Sequence, residues 1–582
     1  MSTITSFKSF KELKGNFKRP SNIFPVVKVS LIADTASPFL AIALKGMAIE
    51  RGLTLELFES DYNQIERQVM DPGSELYQFE ADLTIVFQST HKFLEKFNKL
   101  KPEERKCLAD NRIDFVNMIC QNIPGKIVYY NYPEIDDVVF GNLANQIEES
   151  FIYQTRKLNY DLMNLAQGCP DLFICDLASI QNQIGRDTMF DASIYTSTEM
   201  ILSLDALPLI ASRTMDLICA VKGYFKKCLI LDLDNTLWGG VIGDDGLEGI
   251  QLGHGLGIGK SFVEFQQWVK KLQERGVILA IVSKNTESIA KEPFEKHPEM
   301  ILRLEDVAVF IANWENKADN IRQLQSILNI GFDSMVFLDD NPFERNMVRL
   351  NVPGVLVPEL PEDPADYLEF LYGLNLFETV NYSTGDKDRT KQYQAEAKRA
   401  LTQSKFTNEA EFLKSLNMVC EVEGFTKYIT PRVAQLTQRS NQFNLRTIRY
   451  SEGDIERIQK DEGSHCFSFT LKDTFGDNGL IAVVILKTID EESLFIDSWL
   501  MSCRVLKRGM EDFTLDTIVE YAKKASYKKI IGEYIPTPKN EMVADHYLKL
   551  GFEKMDSQFL LYIDAFKSKN YFIKKILKNG KG

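Results

Sequence analysis

Apolar residues in this chain come in short unbroken runs that end on polar residues, separated by longer stretches of helical period. The first such series comprises 26–34 (VVKVSLIAD), 53–58 (LTLELF), 82–87 (DLTIVF), 125–131 (GKIVYYN) and 171–177 (DLFICDL), with a helix expected at 39–51. Continuous apolar runs of this length are the mark of parallel strands buried on both faces. Their alternation with helices predicts an α/β domain with a parallel sheet. A second series starts at Cys228 with 228–234 (CLILDLD) and continues at 277–284, 307–313, 334–340 and 352–358. It predicts a second doubly wound domain. The last part differs. Helical stretches at 408–417 and 429–438 precede strand-like runs at 465–473, 479–488 and 493–505. A helix (510–525), a strand (528–535), a helix (540–549) and a final strand (558–563) follow, an α+β pattern with mixed strands. The expected boundaries are 1–222, 223–376, a polar linker with an entry helix at 377–400, 401–566, and a basic tail at 567–582.

Composition narrows the function classes. The net charge of −14 over 582 residues argues against a general nucleic-acid binder. The start, MSTITSFKSFKELKG, lacks the apolar region of a signal peptide, and no apolar run is long enough for a transmembrane segment. The nine cysteines contain no C-x-x-C pair, so a zinc ribbon is not expected and a reduced, cytoplasmic protein is.

The candidate chemistry sits at strand ends of the second series. Asp232 and Asp234 end its first run, Ser283 ends the second, Lys317 opens the helix KADNIRQL, and Asp339 and Asp340 end the fourth, with Glu344 one helical turn later. The carboxyl ends of parallel strands are where open α/β sheets bind ligands. Adjacent buried carboxylates are costly unless a cation offsets them, and Mg²⁺ takes a few carboxylate oxygens. A phosphoryl group wants a hydroxyl donor and a cation, which Ser283 and Lys317 supply. A nucleophilic carboxylate at Asp232 and an acid at Asp234 complete a phosphoryl-transfer set.

These four motifs, in order, resemble those of the haloacid-dehalogenase-like phosphotransferase superfamily. The resemblance implies that Asp232 forms an aspartyl phosphate and that Asp234 is general acid and base. It puts Asn235, Thr236, Ser283 and Lys317 on the phosphoryl group. Asp340 and Asp232 would ligate Mg²⁺ with the backbone carbonyl of Asp234, and Asp339 and Glu344 would support the metal, Asp340 being preferred over Asp339 as direct ligand. Only WGGVIGDDGLEGIQLGHGLGIG and one helix separate the first two motifs. That is too short for a cap domain, so an open site is expected.

The runs DLDNTLWGGVIGDDGLEGI, KNTESIAKEPFEKHPEM, NWENKADNI, FLDDNPFERNMVR, RSNQFNLRTIRY and SCRVLKRGME are similar to the FkbH-like family of capless dehalogenase-type proteins. Such proteins are associated with making a glyceryl thioester on an acyl carrier protein from a phosphoglycerate donor. The C-terminal part resembles the GNAT acyltransferase fold, in which R-x-x-G-x-G/A opens a helix whose amides hold the pyrophosphate of CoA. Here that run is Arg504-Val-Leu-Lys507-Arg508-Gly509, with Lys507 in place of the first glycine. A phosphopantetheine arm or a CoA thioester is the implied ligand. Cys503 is a candidate acyl carrier, or a small apolar residue. Asn441, Gln442 and Asn444 either line the same cleft or satisfy a turn. The N-terminal part resembles an SGNH-type, flavodoxin-like hydrolase, with IADTAS (32–37) at the nucleophile loop. Asp191-Ala-Ser-Ile194 lacks the histidine of a DxxH block, and His91 is the single histidine of that part. An inactive domain is expected, covering the open site or docking a partner. The tail KSKNYFIKKILKNGKG reads as a solvated helix or as a surface for an acidic carrier or a membrane.

The expected fold class is therefore multidomain α/β, with two doubly wound domains and a GNAT-like α+β domain. The expected function is Mg²⁺-dependent phosphoryl processing of a phosphorylated small molecule, coupled to acyl transfer to a carrier thiol. The alternatives are a plain phosphatase fused to an acyltransferase and a non-catalytic scaffold.

Overall fold

A computed structural model describes residues 8–18, 24–403, 405–537 and 539–577. The chain divides between Ala220 and Val221 into two units. In the first, strands β1 (Val26–Ala33), β2 (Thr54–Glu59), β3 (Leu83–Phe87), β4 (Lys126–Tyr130) and β5 (Leu172–Cys175) form one sheet in the order β2-β1-β3-β4-β5. Every neighbouring pair is parallel, and the order is the flavodoxin-like one. The helix Pro38–Glu50 starts with proline at its first position, where the missing N–H costs nothing.

The second unit holds two sheets. In the central one, β6 (Cys228–Leu231), β7 (Ile278–Ser283), β8 (Val307–Ala312) and β9 (Met335–Leu338) run parallel in the order β8-β7-β6-β9. Side chains of β6 alternate between two cores: Leu229 and Leu231 face one and Cys228 and Ile230 the other. Burial on both faces is why the run is uninterruptedly apolar until Asp232.

Two expectations change here. The run 352–358 is not a strand; it contributes a single bridge from Leu356 to Val336. Pro353 and Pro358 bracket it, and proline cannot donate to a ladder. The segment 377–400, expected as a linker with an entry helix, carries the helix Arg389–Gln403, which packs on the edge of the central sheet. Gln394 Nε2 donates to the carbonyls of Glu305 (3.1 Å) and Val307 (2.9 Å), and Tyr393 lies in the core with Ile230 and Val309. The described part of the basic tail is not a helix: its residues Ile573–Leu577 form the edge strand of the C-terminal sheet, parallel to Met418–Glu423. Residues 578–582 lie outside the described part.

The C-terminal sheet contains β10 (Met418–Glu423), β11 (Ser464–Asp473), β12 (Gly476–Asp490), β13 (Ser493–Met501), β14 (Lys529–Glu533), β15 (Glu553–Met555), β16 (Gln558–Tyr562) and β17 (Ile573–Leu577). Their order is β15-β16-β14-β13-β12-β11-β10-β17, a mixed sheet within an α+β domain. The run expected to reach 505 stops at Met501, and Cys503–Val505 is a 3-10 turn. Strands β13 and β14 pair only over Ser493–Phe495, then part. The segment Phe443–Leu445 enters between them. Met501 N–H donates to Phe443 O (3.1 Å), Leu445 N–H to Trp499 O (3.3 Å) and Ile535 N–H to Leu445 O (2.9 Å). Among the described residues, no helix is long and apolar enough to cross a membrane.

Candidate functional site

The carboxyl end of the central sheet gathers the charged groups. Ligand oxygens of Asp232, Asp339 and Asp340 lie within 4.8 Å of one another. Lys317 reaches them from the start of the helix Lys317–Leu328, with Nζ 2.9 Å from Asp232 Oδ2 and 2.6 Å from Asp339 Oδ2. Asn316 caps that helix through Ala318 N–H, which sets the lysine's entry. Lys317 is 3% exposed and Asp339 0%, so one cation serves a cluster of three buried or half-buried carboxylates. The Asp340 carboxyl is pushed up to about 6 by burial and by the charge of Asp232, and Asp339 moves in the same direction for the same reasons. Lys317 is held above its ordinary range by the two aspartates despite its burial.

Asp234 stands apart from this cluster. Its Oδ1 accepts hydrogen bonds from Trp238 Nε1 (3.0 Å) and Ile242 N–H (3.0 Å), and its Oδ2 from Asn285 Nδ2 (2.8 Å). Three donors from three places on the chain fix its orientation. Asn285 also donates to Ser283 Oγ at 3.3 Å, tying the ends of β6 and β7 together. Thr236 Oγ1 donates to Asp340 Oδ1 at 3.5 Å and accepts from Asp340 N–H at 3.2 Å, so it buttresses the acidic loop. Asn235 adopts φ 54° and its side chain accepts from Gly240 N–H, shaping the loop after β6. Glu344 pairs with Lys284 Nζ at 2.6 Å, next to Ser283.

The donor set fits a divalent cation. Asp232 Oδ1 is buried and has no hydrogen-bond partner, and one lysine leaves the cluster with excess negative charge. Asp339 uses one oxygen on Lys317 and the other on Asn341 N–H (2.9 Å), whereas Asp340 receives only the long bond from Thr236 at Oδ1. The geometry thus leaves Asp340 the freer ligand. Sequence reasoning missed Arg345, which donates to the carbonyls of Asp339 (2.8 Å) and Asp340 (2.6 Å) and pairs with Glu359 (2.8 Å). Its signal was its place one turn after the aspartates, inside FLDDNPFERN.

The C-terminal candidates separate into two groups. Cys503, Arg504 and Asn441 line a cavity, together with Gln442. Asn444 is fully buried in the turn before Thr447, whose N–H it accepts at 2.8 Å. The loop expected to hold a pyrophosphate does not present what that group needs. Lys507 has φ 63° and its N–H donates to Glu511 Oε1 (3.1 Å), while Glu511 and Asp512 occupy the first turn of the helix that Gly509 caps. Arg508 is held by Glu396 (2.6 Å) and Asp473 (3.4 Å). Arg504 donates to Gln392 and to Asn478 O (3.2 Å). Glu511 thus takes the Lys507 N–H of this loop, and Asp512 pairs with Lys569 at 3.2 Å.

In the N-terminal unit, Asp34 accepts Ser89 N–H at 2.9 and 3.0 Å, and burial pushes it up to about 6. His91 is packed against Phe190 and Tyr195, and burial pulls it down to about 4. Asp191 caps the helix Ala192–Thr198. None of these pairs with another as a nucleophile and base would.

Comparison with known proteins agrees with this layout. The family model "FkbH, N-terminal domain" matches residues 28–219. Among solved structures, the N-terminal part of the protein BF1531 from Bacteroides fragilis, containing a phosphatase domain complexed with Mg, is 62% identical. That match covers 64% of this chain and 100% of the other, with a TM-score of 0.63. The ribosomal-protein-S18-alanine N-acetyltransferase from Escherichia coli is 14% identical over 26% of this chain and 100% of its own, with a TM-score of 0.20. Spermidine N-acetyltransferase from Vibrio cholerae, in complex with CoA and spermine, is 13% identical over 25% of this chain and 96% of its own, also at 0.20. No curated protein matches. With 62% identity over the whole of the Bacteroides fragilis structure, and with the motif residues of β6, β7 and β9 and Lys317 gathered at one sheet end, the chain belongs to the FkbH-like family of haloacid-dehalogenase-type proteins.

Proposed function

We propose that the central domain is an Mg²⁺-dependent phosphoryl-processing enzyme that works through a phosphorylated Asp232. The observation that carries the reading is Lys317 bridging Asp232 and Asp339 beside a partnerless Asp232 oxygen. Asp232, Asp340 and the backbone carbonyl of Asp234 would hold the metal. The Mg found in the Bacteroides fragilis relative supports that ion. When bound, the metal offsets the carboxylates and polarises the phosphoryl group. An oxygen of Asp232 attacks phosphorus, and the bond from phosphorus to the substrate oxygen breaks. Asp234 gives its proton to that oxygen. A water then attacks phosphorus, Asp234 takes the proton, and the Asp232–phosphorus bond breaks to release phosphate. Ser283 and Lys317 hold the phosphoryl oxygens, and Lys317 and Arg345 keep the acids in place.

The finer reading follows the family resemblance: the substrate is a phosphorylated three-carbon acid activated as an acyl phosphate. The Cys503 thiolate attacks its acyl carbon as the C–O bond to phosphate breaks. The carrier thiolate then takes the acyl group and frees Cys503, and Asp232 serves to remove the remaining phosphoryl group. Asn441, Arg504, Arg508 and Gly509 belong to that half of the reading. Lys507 in place of the first glycine, with its N–H taken by Glu511, favours the second reading on one point, since a phosphatase without CoA chemistry asks nothing of that loop. Incubation with Mg²⁺, 1,3-bisphosphoglycerate and a holo carrier protein tests both. A glyceryl mass shift on the carrier supports the first. Phosphate release with no adduct on carrier or on Cys503 leaves a phosphatase. No release in wild type, or equal release by Asp232→Asn, overturns the phosphoryl chemistry itself.

A further inference from the structure

A cavity of roughly 470 Å³ lies in the second unit, between the amino end of the central sheet and the C-terminal domain. Its wall carries Lys227, Arg389, Arg432, Arg439, Arg504 and Lys539. These six cations face two carboxylates. Asp386 serves three of them: its Oδ1 is 3.0 Å from Arg389 and 3.9 Å from Arg432, and it also bonds Arg439. Asp333 pairs with Lys539. Arg504 is bonded to neutral groups, and Lys227 donates to the carbonyl of Arg439 at 2.8 Å. Buried Arg439 Nε has no hydrogen-bond partner. Six cations against two carboxylates leave four positive charges without a paired carboxylate. Burial and the neighbouring Arg389 pull Arg432 down to about 9, and burial pulls Lys227 down to about 8.

We propose that this arginine-lined cavity binds the phosphate of a small phosphate ester, at a site separate from the Asp232 centre. Guanidinium forks match phosphate oxygens two at a time, and a dianion answers the excess charge better than one carboxylate. The space far exceeds a bare phosphate and falls in the range of small-molecule sites, roughly 300–1,000 Å³. The remaining wall, with Ser440, Ser502, Asn441 and Gln442, suits a hydroxyl-bearing body, and Cys503 lies against it. The separation is set by the sheet. Lys227 precedes β6 and Asp232 follows it, so five residues at about 3.3 Å each put them roughly 16 Å apart. One small ligand cannot touch both.

The test uses the full chain carrying Asp232→Asn, with EDTA, so that neither turnover nor metal binding contributes; binding here stands or falls apart from the phosphoryl chemistry. Iodoacetamide labelling of Cys503 is followed by peptide mass spectrometry, with exposed Cys107 as internal control. Inorganic phosphate and glycerol 3-phosphate are the probes, with glycerol as control. The expected result is that both phosphates slow Cys503 labelling about tenfold at about ten times their dissociation constant, and glycerol does not. Arg432→Gln removes the protection; this arginine is the one least tied to Asp386, so the fold is kept. Calorimetric titration of phosphate into the same two proteins gives a second readout, in which the Arg432-dependent heat disappears. Protection and heat that are absent, or equal in Arg432→Gln, overturn the proposal.

Discussion

Replacing Lys317 by methionine should unfold the second unit more easily, and a divalent cation should reverse much of the loss. Lys317 Nζ lies 2.9 Å from Asp232 and 2.6 Å from Asp339. With an effective dielectric constant of about 20, each contact is worth about 6 kcal/mol of gross attraction. The cost of desolvating the lysine cancels much of this. Breaking a buried ion pair by removing one partner leaves a net cost of about 3–5 kcal/mol, because the abandoned carboxylates stay buried and uncompensated. The assay is chemical denaturation of wild type and Lys317→Met, in EDTA and in Mg²⁺, followed by the fluorescence of the buried Trp238. In EDTA the variant should lose about 3–5 kcal/mol. In Mg²⁺ the gap should shrink, since the ion takes over the role of counter-charge, while phosphate release stays low because the phosphoryl oxygens have lost their lysine. Equal denaturation midpoints in EDTA, or a cation effect no larger in the variant than in wild type, refute the reasoning.

Three further outcomes are expected. Asp234→Asn should cut phosphate release about 10²–10⁴-fold, and an acid-quenched reaction should show a phosphoryl adduct on Asp232 by mass spectrometry. Asp34→Asn should stabilise the N-terminal unit at pH 8 by about 3 kcal/mol. Burial raises the folded-state pKa of Asp34 to about 6, so its contribution is full below about pH 4 and is lost as pH rises through about 6; urea titrations across pH 4–8 read the difference. Leu445→Ala, at a fully buried side chain in the segment between β13 and β14, should cost about 2–5 kcal/mol in the same kind of titration.

The candidate set was legible because its acids and Ser283 sit where apolar runs stop, and Lys317 opens the helix that follows the third run. A strand buried on both faces must be apolar, so the first polar residue marks its end, and the end of a parallel strand is a binding edge. Asp232, Ser283, Lys317 and the Asp339–Asp340 pair could be assigned to one site from that rule. The partners that aim them were harder to see. Asn285 and Arg345 look like ordinary loop and helix polar residues until their bonds to Asp234 and to the carbonyls of Asp339 and Asp340 are known. The run 352–358 is as apolar as a strand, but Pro353 and Pro358 cannot donate to a ladder, and only Leu356 bridges to Val336. The tail misled because Lys574 and Lys575 suggested a solvated helix. An exposed lysine is equally at home on an edge strand, and Ile573 turns inward against β10.

By itself the chain's pattern determined the α/β and α+β classes and pointed to the acidic cluster of Asp232, Asp339 and Asp340, since both depend on local periodicity and on residues a few positions from strand ends. Only the tertiary structure decided the fate of the C-terminal candidates. Asn444 became part of a turn and Cys503 came to line a cavity, while the loop at Lys507 was closed by Glu511. The cations of that cavity are drawn from Lys227 to Lys539. Their joint field exists only once the central and C-terminal sheets stand together. Charge is felt through space, and no local period along the chain records it.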